Sequence, residues 1–307
     1  MPEPAVDTRD APRRPSYEVV LVTYRSAPLV RGLLATLPSD LPVVIVDNGH
    51  GVDGLASLPD ERPATRYLDG PGAGFASGAN VGVRTSTHDV VVFVNPDSTP
   101  TIDQIDALVA DVVADERLGA VSAMTVLPDG RVEIGVGGWE PSPLRALVHS
   151  VGAHKIFPTA GLWARPEPNR PIELDWLSGA CMAVRRRTYL DLGGFDEKFF
   201  VYNEDVAFGR KVREAGMTLR MRTDILVGHL GGGSGDGKSR MLQYRGDSLV
   251  RYVRRHNSAL SVFGIRLALT VGYLPRYVLC RVTSRPGRAR EHAAYVKGLW
   301  MGAPEPE

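Results

Sequence analysis

The sequence predicts an α/β fold, a mixed but mainly parallel sheet with helices on both faces, followed by a helical C-terminal extension. Three observations carry this. Val19-Val-Leu-Val-Thr-Tyr24, Val43-Val-Ile-Val-Asp47 and Val90-Val-Val-Phe-Val94 are near-continuous apolar runs of strand length, the pattern of strands buried on both faces. Segments of helical period separate them, which is the alternation that builds a parallel sheet. The three runs end at polar residues, Thr23, Asp47 and Asn95, with Asp97 close behind.

After the first strand, Leu29, Val30, Leu33, Leu34 and Leu37 repeat at helical spacing until Pro38 stops them. The second strand closes on Asn48-Gly49, a turn signal. Gly70-Pro-Gly-Ala-Gly-Phe-Ala-Ser-Gly-Ala-Asn80 partly imitates a dinucleotide fingerprint, but Ser77 holds the third glycine position and no strong apolar strand precedes it. We read it as a loop and helix start whose small residues let a ligand approach the backbone, with Asn80 available for a polar contact. Pro100 then opens a helix with Ile102, Ile105, Leu108, Val109 and Val112 on one side.

From about 128 to 171 the chain is rich in Gly and Pro and weakly periodic, which reads as loops and short strands around a site or acceptor region. A helix over 203–215, stopped by Gly216, precedes short strands at 218–223 and 225–229. Gly231-Gly-Gly-Ser-Gly-Asp-Gly237 reads as a mobile loop, and Met241, Leu242, Leu249, Tyr252 and Val253 resume helical spacing.

The 307 residues are 43% hydrophobic and 23% charged, ordinary for a soluble globular protein. The first fifteen residues, polar and proline-rich, read as a disordered tail with no apolar core for a secretory signal. Cys181 and Cys280 match no metal or redox spacing, which favours a reducing cytoplasm, and neither is a candidate nucleophile. The apolar region from Leu260 to Leu279 is interrupted by Arg266 and Arg276, so no membrane span is expected. Net charge is +1, yet thirteen Lys or Arg fall between Lys238 and Lys297 against Asp247 and Glu291. That end is either a solvated arginine-rich helical face or a surface that meets a membrane or phosphates, giving peripheral contact with the inner face of the cell membrane. Without aromatic interleaving for stacked bases, nucleic acid is not an expected partner.

In open α/β sheets ligands bind beyond the carboxyl ends of the strands, so Thr23, Asp47, Asn95 and Asp97 converge on one edge. A departing nucleoside diphosphate needs its growing charge neutralised, and a divalent ion held by one or two carboxylates does this. Asp97 is the candidate ligand and His229, at a strand end before the glycine loop, could complete the shell. Glu204 and Asp205 begin a helix, where acidic residues also simply complement the dipole. In the functional reading Asp205 takes a proton from an attacking sugar hydroxyl, with Glu204 orienting it or contacting acceptor.

The segments VVLVTYRSAPLV, VVIVDNG, GAGFASGANVGV, VVFVNPDSTP, WLSGACMAVRR, GGFDEKFFVYNEDVAFGRKVREAG and VGHLGGGSG stand in the order seen in the family 2 glycosyltransferases of the GT-A fold. The chain resembles that family, particularly its bacterial rhamnosyltransferase-like members, over roughly 17–257. The resemblance implies a GT-A domain at 17–237, with a donor half at about 17–127 and an acceptor half at about 128–237. A tail at 1–16 and a basic helical extension at 238–307 flank it. It implies a single inverting displacement from a nucleoside-diphosphate sugar, dTDP-rhamnose first, to a saccharide, polyprenyl-linked or small-molecule acceptor.

By the same resemblance Thr23, Tyr24, Asp47, Asn80 and Asn95 serve the donor nucleotide, Asp47 contacting the base. Asn95-Pro-Asp97 stands at the Asp-x-Asp motif and, with His229, holds Mg²⁺ or Mn²⁺. Asp205 is the base, and Glu204 and Trp176 lie on the acceptor side or support it. Asn95 replaces the first Asp of the motif, and Ala207 stands where a further Asp often follows Glu-Asp. No Gln-x-x-Arg-Trp appears beyond a faint echo in Gln243-Tyr-Arg245, which argues against a polymer synthase. Two other readings were weighed, a sugar-phosphate nucleotidyltransferase and a catalytically silent sugar-nucleotide or envelope-binding protein. Thr23-Tyr-Arg-Ser-Ala-Pro28 lacks the glycine-rich loop that the first needs, and intact Asp97 and Asp205 argue against the second.

Overall fold

The computed structural model describes residues 16–231 and 237–305, so the N-terminal tail and most of the glycine loop lie outside the described residues. Along the chain come β1 (Tyr17–Thr23), α1 (Ala27–Thr36), β2 (Val43–Asp47), α2 (Leu58–Glu61), β3 (Thr65–Asp69), α3 (Phe75–Thr85), β4 (Val90–Val94), β5 (Ser98–Thr99) and α4 (Ile102–Ala114). The middle contributes β6 (Leu118–Val126), β7 (Gly137–Gly138), α5 (Pro143–Ser150), β8 (Ile172–Leu174), β9 (Trp176–Leu177), β10 (Cys181–Arg185) and α6 (Arg186–Asp191). The chain continues through α7 (Glu204–Glu214), β11 (Thr218–His229), α8 (Lys238–His256), α9 (Ala259–Val282) and α10 (Pro286–Met301).

The main sheet has the order β3-β2-β1-β4-β10-β6-β11-β5, with β8 also paired to β11. Pairs β1–β2, β1–β4, β2–β3 and β6–β11 are parallel, and β10 runs antiparallel between β4 and β6. Because β10 opposes both neighbours, β1, β2, β3, β4, β6 and β11 all point one way and their carboxyl ends share one edge. Helices cover both faces. Val19, Leu21, Ile45 and Val92 pack with Leu33, Ile105 and Leu108 on one side, while Val20, Val44 and Phe93 pack with Ala79, Phe208 and Val212 on the other. Successive residues thus enter different cores, which is why these strands read as unbroken apolar runs.

Two strand readings change. A strand does precede the Gly70–Asn80 segment: β3 was hidden because it is an edge strand, TRYLD, whose Arg66 reaches across to Glu18 at 2.9 Å instead of packing apolar surface. The strands read at 218–223 and 225–229 are one, β11, whose register against β6 shifts between Arg222 and Leu226, so the polar break at Thr223-Asp224 is a bulge. The Pro100 helix is α4, fixed by a capping box between Thr101 and Gln104.

α8, α9 and α10 build a third core in which Tyr252, Ile265, Leu269 and Leu299 pack with Trp176, Phe199 and Val206 of the sheet domain. Among the described residues one helix meets, by length and composition, the requirement for crossing a membrane: the 24-residue α9, with a window of mean hydropathy 1.2 of which 22% is buried.

Asn80 ties α3 to the segment after α6. Its amide nitrogen donates to the Phe195 carbonyl (2.9 Å) and to Glu197 (2.8 Å), and its carbonyl oxygen accepts from the Tyr189 hydroxyl (2.6 Å) and the Phe195 N–H (3.0 Å). Truncation leaves the Phe195 carbonyl and the Tyr189 hydroxyl proton without these partners, while the Phe195 N–H keeps the Tyr189 oxygen and Glu197 keeps Arg84, so Asn80→Ala should cost about 2–4 kcal/mol, since each orphaned buried group costs about 1–3 kcal/mol. Urea unfolding followed by circular dichroism measures it, and a change below about 0.5 kcal/mol would mean the network contributes little.

Candidate active site

The common strand edge gathers most of the predicted polar residues but uses them differently. Thr23 and Asp47 end neighbouring strands in register. The Asp47 carboxylate is wholly buried and accepts from the Gly49 N–H (2.7 Å), the Gly51 N–H (2.8 Å) and the Tyr67 hydroxyl (3.0 Å), so it shapes the turn after β2. Burial, followed by the bond to Asp47, pushes the Tyr67 phenol up to about 12. Thr23 Oγ1 is buried with no hydrogen-bond partner among the described residues, and the Tyr24 ring beside it carries the Arg25 guanidinium at 5.1 Å. Asn80 is not part of this group, its amide being saturated within the network of α3.

At the other end of the edge, β5 folds back on β11 so that Ser98 pairs with His229. The pairing sets His229 Nε2 3.2 Å from Asp97 Oδ1 and 3.4 Å from the Asn95 amide nitrogen, while His229 Nδ1 lies 2.7 Å from Glu133 Oε2. Burial works against a charged ring here, but the two flanking carboxylates outweigh it and push His229 up to about 9. Glu133 was not foreseen. It lies in the weakly periodic stretch after β6, and only the fold brings it to the strand edge.

The remaining candidates lie at the start of α7. Tyr202 and Asn203, immediately before it, both hold left-handed backbone (φ 65° and 64°), a conformation that costs energy for residues with a side chain. The approach to them is fixed by Gly74, whose φ is 92° and where a Cβ would fall 2.0 Å from the Phe200 carbonyl oxygen. The Phe75 N–H donates to that oxygen at 2.9 Å. Loop 70–74 therefore clamps the segment leading to the base candidate, which is what its small residues are for.

Glu204 and Asp205 then enter the helix side by side. Burial raises the Asp205 carboxyl to about 6, opposed by the Val206 N–H (2.8 Å) and by the charge of Arg245. Glu204 is buried with Oε2 unpartnered, and burial next to Asp205 holds its carboxyl well above the ordinary range. Tyr202 marks the shared neighbourhood: its hydroxyl is raised by burial, opposed by Arg245, and raised further by Glu204, Asp205 and Glu133. Arg245 also donates to the Gly135 carbonyl (3.4 Å), two residues after the partner of His229. Trp176 is buried in the third core with Phe199 and Val206, and supports α7 from below. Cys181 sits inside β10 with its thiol pushed up to about 12 by burial, so it offers no thiolate.

Beyond Arg245 runs a second feature that the sequence did not disclose. The Arg245 guanidinium stacks on Trp163 at 4.4 Å, Trp163 meets His149 at 4.4 Å, His149 stacks on His154 at 4.6 Å, and His154 lies 3.1 Å from Arg165. Among the described residues His149 Nδ1, Ser150 Oγ and Arg165 Nε are buried without hydrogen-bond partners. Burial, then the neighbouring His154 and arginines, lowers His149 to about 3, leaving it neutral at pH 7. This cationic path starts beside Asp205 and ends on α5.

Among the described residues no three His, Cys, Asp or Glu are grouped to hold a metal ion. Asp97 and His229 nonetheless fit one: an oxygen and an imidazole nitrogen 3.2 Å apart are two hard or borderline donors, and Mg²⁺ or Mn²⁺ in phosphate chemistry usually takes only one or two protein ligands beside phosphate oxygens and water. The carboxylate of Glu133 on the far ring nitrogen is the outer support that metal-binding histidines commonly have.

The sequence profile of the family described as Glycosyl transferase family 2 matches residues 18–188. The N-acetylglucosaminyl-diphospho-decaprenol L-rhamnosyltransferase of Mycobacterium tuberculosis is 32% identical over 227 residues, covering 64% of this chain and 70% of that protein. Rhamnosyltransferase WbbL of Escherichia coli is 21% identical over 215 residues, covering 66% and 78%. Among solved structures, the mannosyltransferase PcManGT of Pyrobaculum calidifontis in complex with GDP-Man and Mn²⁺ superposes with a TM-score of 0.60 at 19% identity, over 94% of this chain and 88% of that one. GalNAc-T7 with UDP, GalNAc and Mn²⁺ gives 0.56 at 15% identity over 80% of this chain, which spans about half (48%) of that structure. Both likenesses show the GT-A architecture.

The ring of His229 provides a direct check on this geometry. In metal-free protein its NMR titration should centre near pH 9, charged below and neutral above, and Glu133→Gln should bring it down. A midpoint near the ordinary 6.5 in the unaltered protein would mean the two carboxylates do not flank it.

Proposed function

The chain belongs to glycosyl transferase family 2 and is a rhamnosyltransferase-like glycosyltransferase, and from that premise we propose that it transfers a sugar by one inverting displacement with Asp205 as the base. The observation that carries this is the placement of Asp205. It begins α7 with a carboxyl raised to about 6, in one neighbourhood with Tyr202, Arg245 and Glu133, and Glu133 in turn holds the His229–Asp97 pair. A base with that pKa is mostly ionised at pH 7 yet still basic enough to take the hydroxyl proton, which grows more acidic as the attacking oxygen bonds to the anomeric carbon.

In the step, the acceptor hydroxyl oxygen forms a bond to the anomeric carbon from the face opposite the nucleotide. The anomeric C–O bond to the diphosphate breaks with its electron pair, and the hydroxyl proton passes to Asp205. Asp97 and His229 would hold a divalent ion, Mg²⁺ or Mn²⁺, which when bound supplies positive charge against the departing diphosphate. The Mn²⁺ in the PcManGT and GalNAc-T7 structures supports a divalent ion in this fold. Glu204, whose carboxyl burial and the neighbouring Asp205 hold well above the ordinary range, helps to keep Asp205 in place at the helix start.

A dTDP-linked rhamnose is the donor favoured by the likeness to two rhamnosyltransferases. For the acceptor we favour a saccharide carried on a lipid diphosphate. The mycobacterial relative is named for such an acceptor. The path of arginines and histidines from Asp205 to α5 is suited to a diphosphate between the sugar and its lipid.

Replacing Asp205 by Asn should lower kcat by about 10²–10⁴-fold, the range for loss of a general base, with nucleotide binding retained. In the unaltered enzyme kcat should fall as pH drops through about 6, as the base becomes protonated. A variant with ordinary turnover, or a rate flat from pH 5 to 8, would remove the assignment. For the donor, thermal unfolding with dTDP, UDP or GDP, with and without Mg²⁺ or Mn²⁺, should show metal-dependent stabilisation by dTDP, about 2.7 kcal/mol at a hundred times its Kd. Asp97→Ala should abolish the metal dependence, and its persistence would place the ion elsewhere.

A further inference from the structure

We propose that the face formed by α5, α9 and α10 is a docking surface for an anionic lipid bilayer, with α9 lying in the plane of the membrane. The first observation is a single apolar stripe. Leu260, Phe263, Leu267, Val271, Leu274 and Val278 recur at spacings of three and four, which puts them on one line along α9, and each is between 46% and 80% exposed. Such an exposed apolar line along a helix of 24 residues is the kind of surface that marks an interaction site.

The stripe does not stand alone. α9 closes on α5 at Gly272, where a Cβ would lie 2.6 Å from that of Ser150, and Arg276 donates to the Ser150 carbonyl at 3.2 Å. The outer residues of α5 and the turn after it, Leu147, Val151, Ile156 and Phe157, are likewise exposed. On the opposite flank Trp300 of α10 donates to Thr270 (2.8 Å) and meets Phe263 edge-on at 6.2 Å, an aromatic of the kind that settles at a headgroup boundary.

The two arginines that interrupt this region in sequence do not interrupt the stripe. Arg266 lies over Trp300 at 4.1 Å and Arg276 over Tyr273 at 5.3 Å, both to the sides. The opposite face of α9 is anchored, with Val262, Ile265 and Leu269 in the third core. A helix held along one side by its own domain and apolar on the other is built to lie on a membrane instead of crossing it.

Charge selects the occupant. Arg281, Arg285, Arg288 and Arg290 are exposed around the C-terminal end of α9 and the start of α10, Arg254 shares a surface depression with Phe263 and Arg266, and Glu291 is the acid in this stretch. A second copy of the chain packed on the same face would set these arginines against one another, whereas anionic headgroups complement them. The docking stands apart from the acceptor assignment, though it would bring the α5 end of the cationic path to the lipid surface.

The test is sedimentation of the full chain with vesicles of phosphatidylcholine alone or with about one-third phosphatidylglycerol, the anionic lipid that should attract the arginine rim. Binding should require the anionic lipid and weaken with salt. The triple change Leu267→Gln, Leu274→Gln, Val278→Gln should reduce partitioning roughly tenfold or more by removing buried apolar area. Arg285→Gln with Arg288→Gln, which touches no core residue, should weaken binding to anionic vesicles by a similar factor. Circular dichroism, and stabilisation by dTDP where the unaltered chain shows it, should remain as before in both. Failure of the unaltered chain to sediment with anionic vesicles would overturn the proposal. So would a dimer in solution that the triple change dissociates, since the face would then belong to a second copy.

Discussion

Two residues, Ser98 and Thr99, pair with the end of β11, and the organisation of the site depends on that short antiparallel return. Without it, Asp97 would sit in a loop after β4, and His229 would end a strand three places away in the sheet. With it, an aspartate and a histidine far apart in sequence meet at 3.2 Å, and the ring is held from behind by Glu133. The return is possible because β10 runs antiparallel between β4 and β6, leaving β4 and β11 pointing the same way and ending at the same edge. Sheet topology therefore sets the chemistry at that edge before any single side chain is considered.

The opposite wall is governed by burial and charge. A carboxylate at a helix start would ordinarily be stabilised in its ionised form by the helix dipole, yet the surroundings of Asp205 raise its pKa because the helix begins inside the protein. Arg245 limits that rise. The balance leaves Asp205 at about 6, while the carboxyl of Glu204, more deeply buried and with no arginine to oppose the effect, is held well above the ordinary range. Two adjacent acids thus acquire different roles from their environments. The left-handed backbone at Tyr202 and Asn203 is held by the Gly74–Phe200 approach, so the position of the base also depends on a loop more than a hundred residues upstream.

How much of this was legible in the sequence follows from the kind of signal each part leaves. β1, β2 and β4 are buried on both faces and announce themselves as apolar runs, while α4 opens after Pro100 with a clear period and α7 is stopped at Gly216. β3 left no such run because it is an edge strand, and β11 looked divided because a bulge carries Thr223-Asp224. Strands of two residues, such as β7 and β9, are too short for any periodicity to register. Asp97, His229, Glu204 and Asp205 were found because they sit at strand and helix ends. Glu133, Arg245 and the histidines of the cationic path act through contacts made only in three dimensions, and Gln243-Tyr-Arg245 was the sole trace of them. The arginines within α9 break an apolar run in sequence, but in the fold both turn sideways and leave its outer line intact.

In the proposed direct displacement Asp205 activates the acceptor and no sugar is ever attached to the protein. The anomeric configuration of the product tests this most directly, read by NMR coupling constants after transfer from a donor of known configuration. Inversion relative to the donor is the predicted result. Retention would require a different chemical step and would contradict both the single displacement and the role given to Asp205.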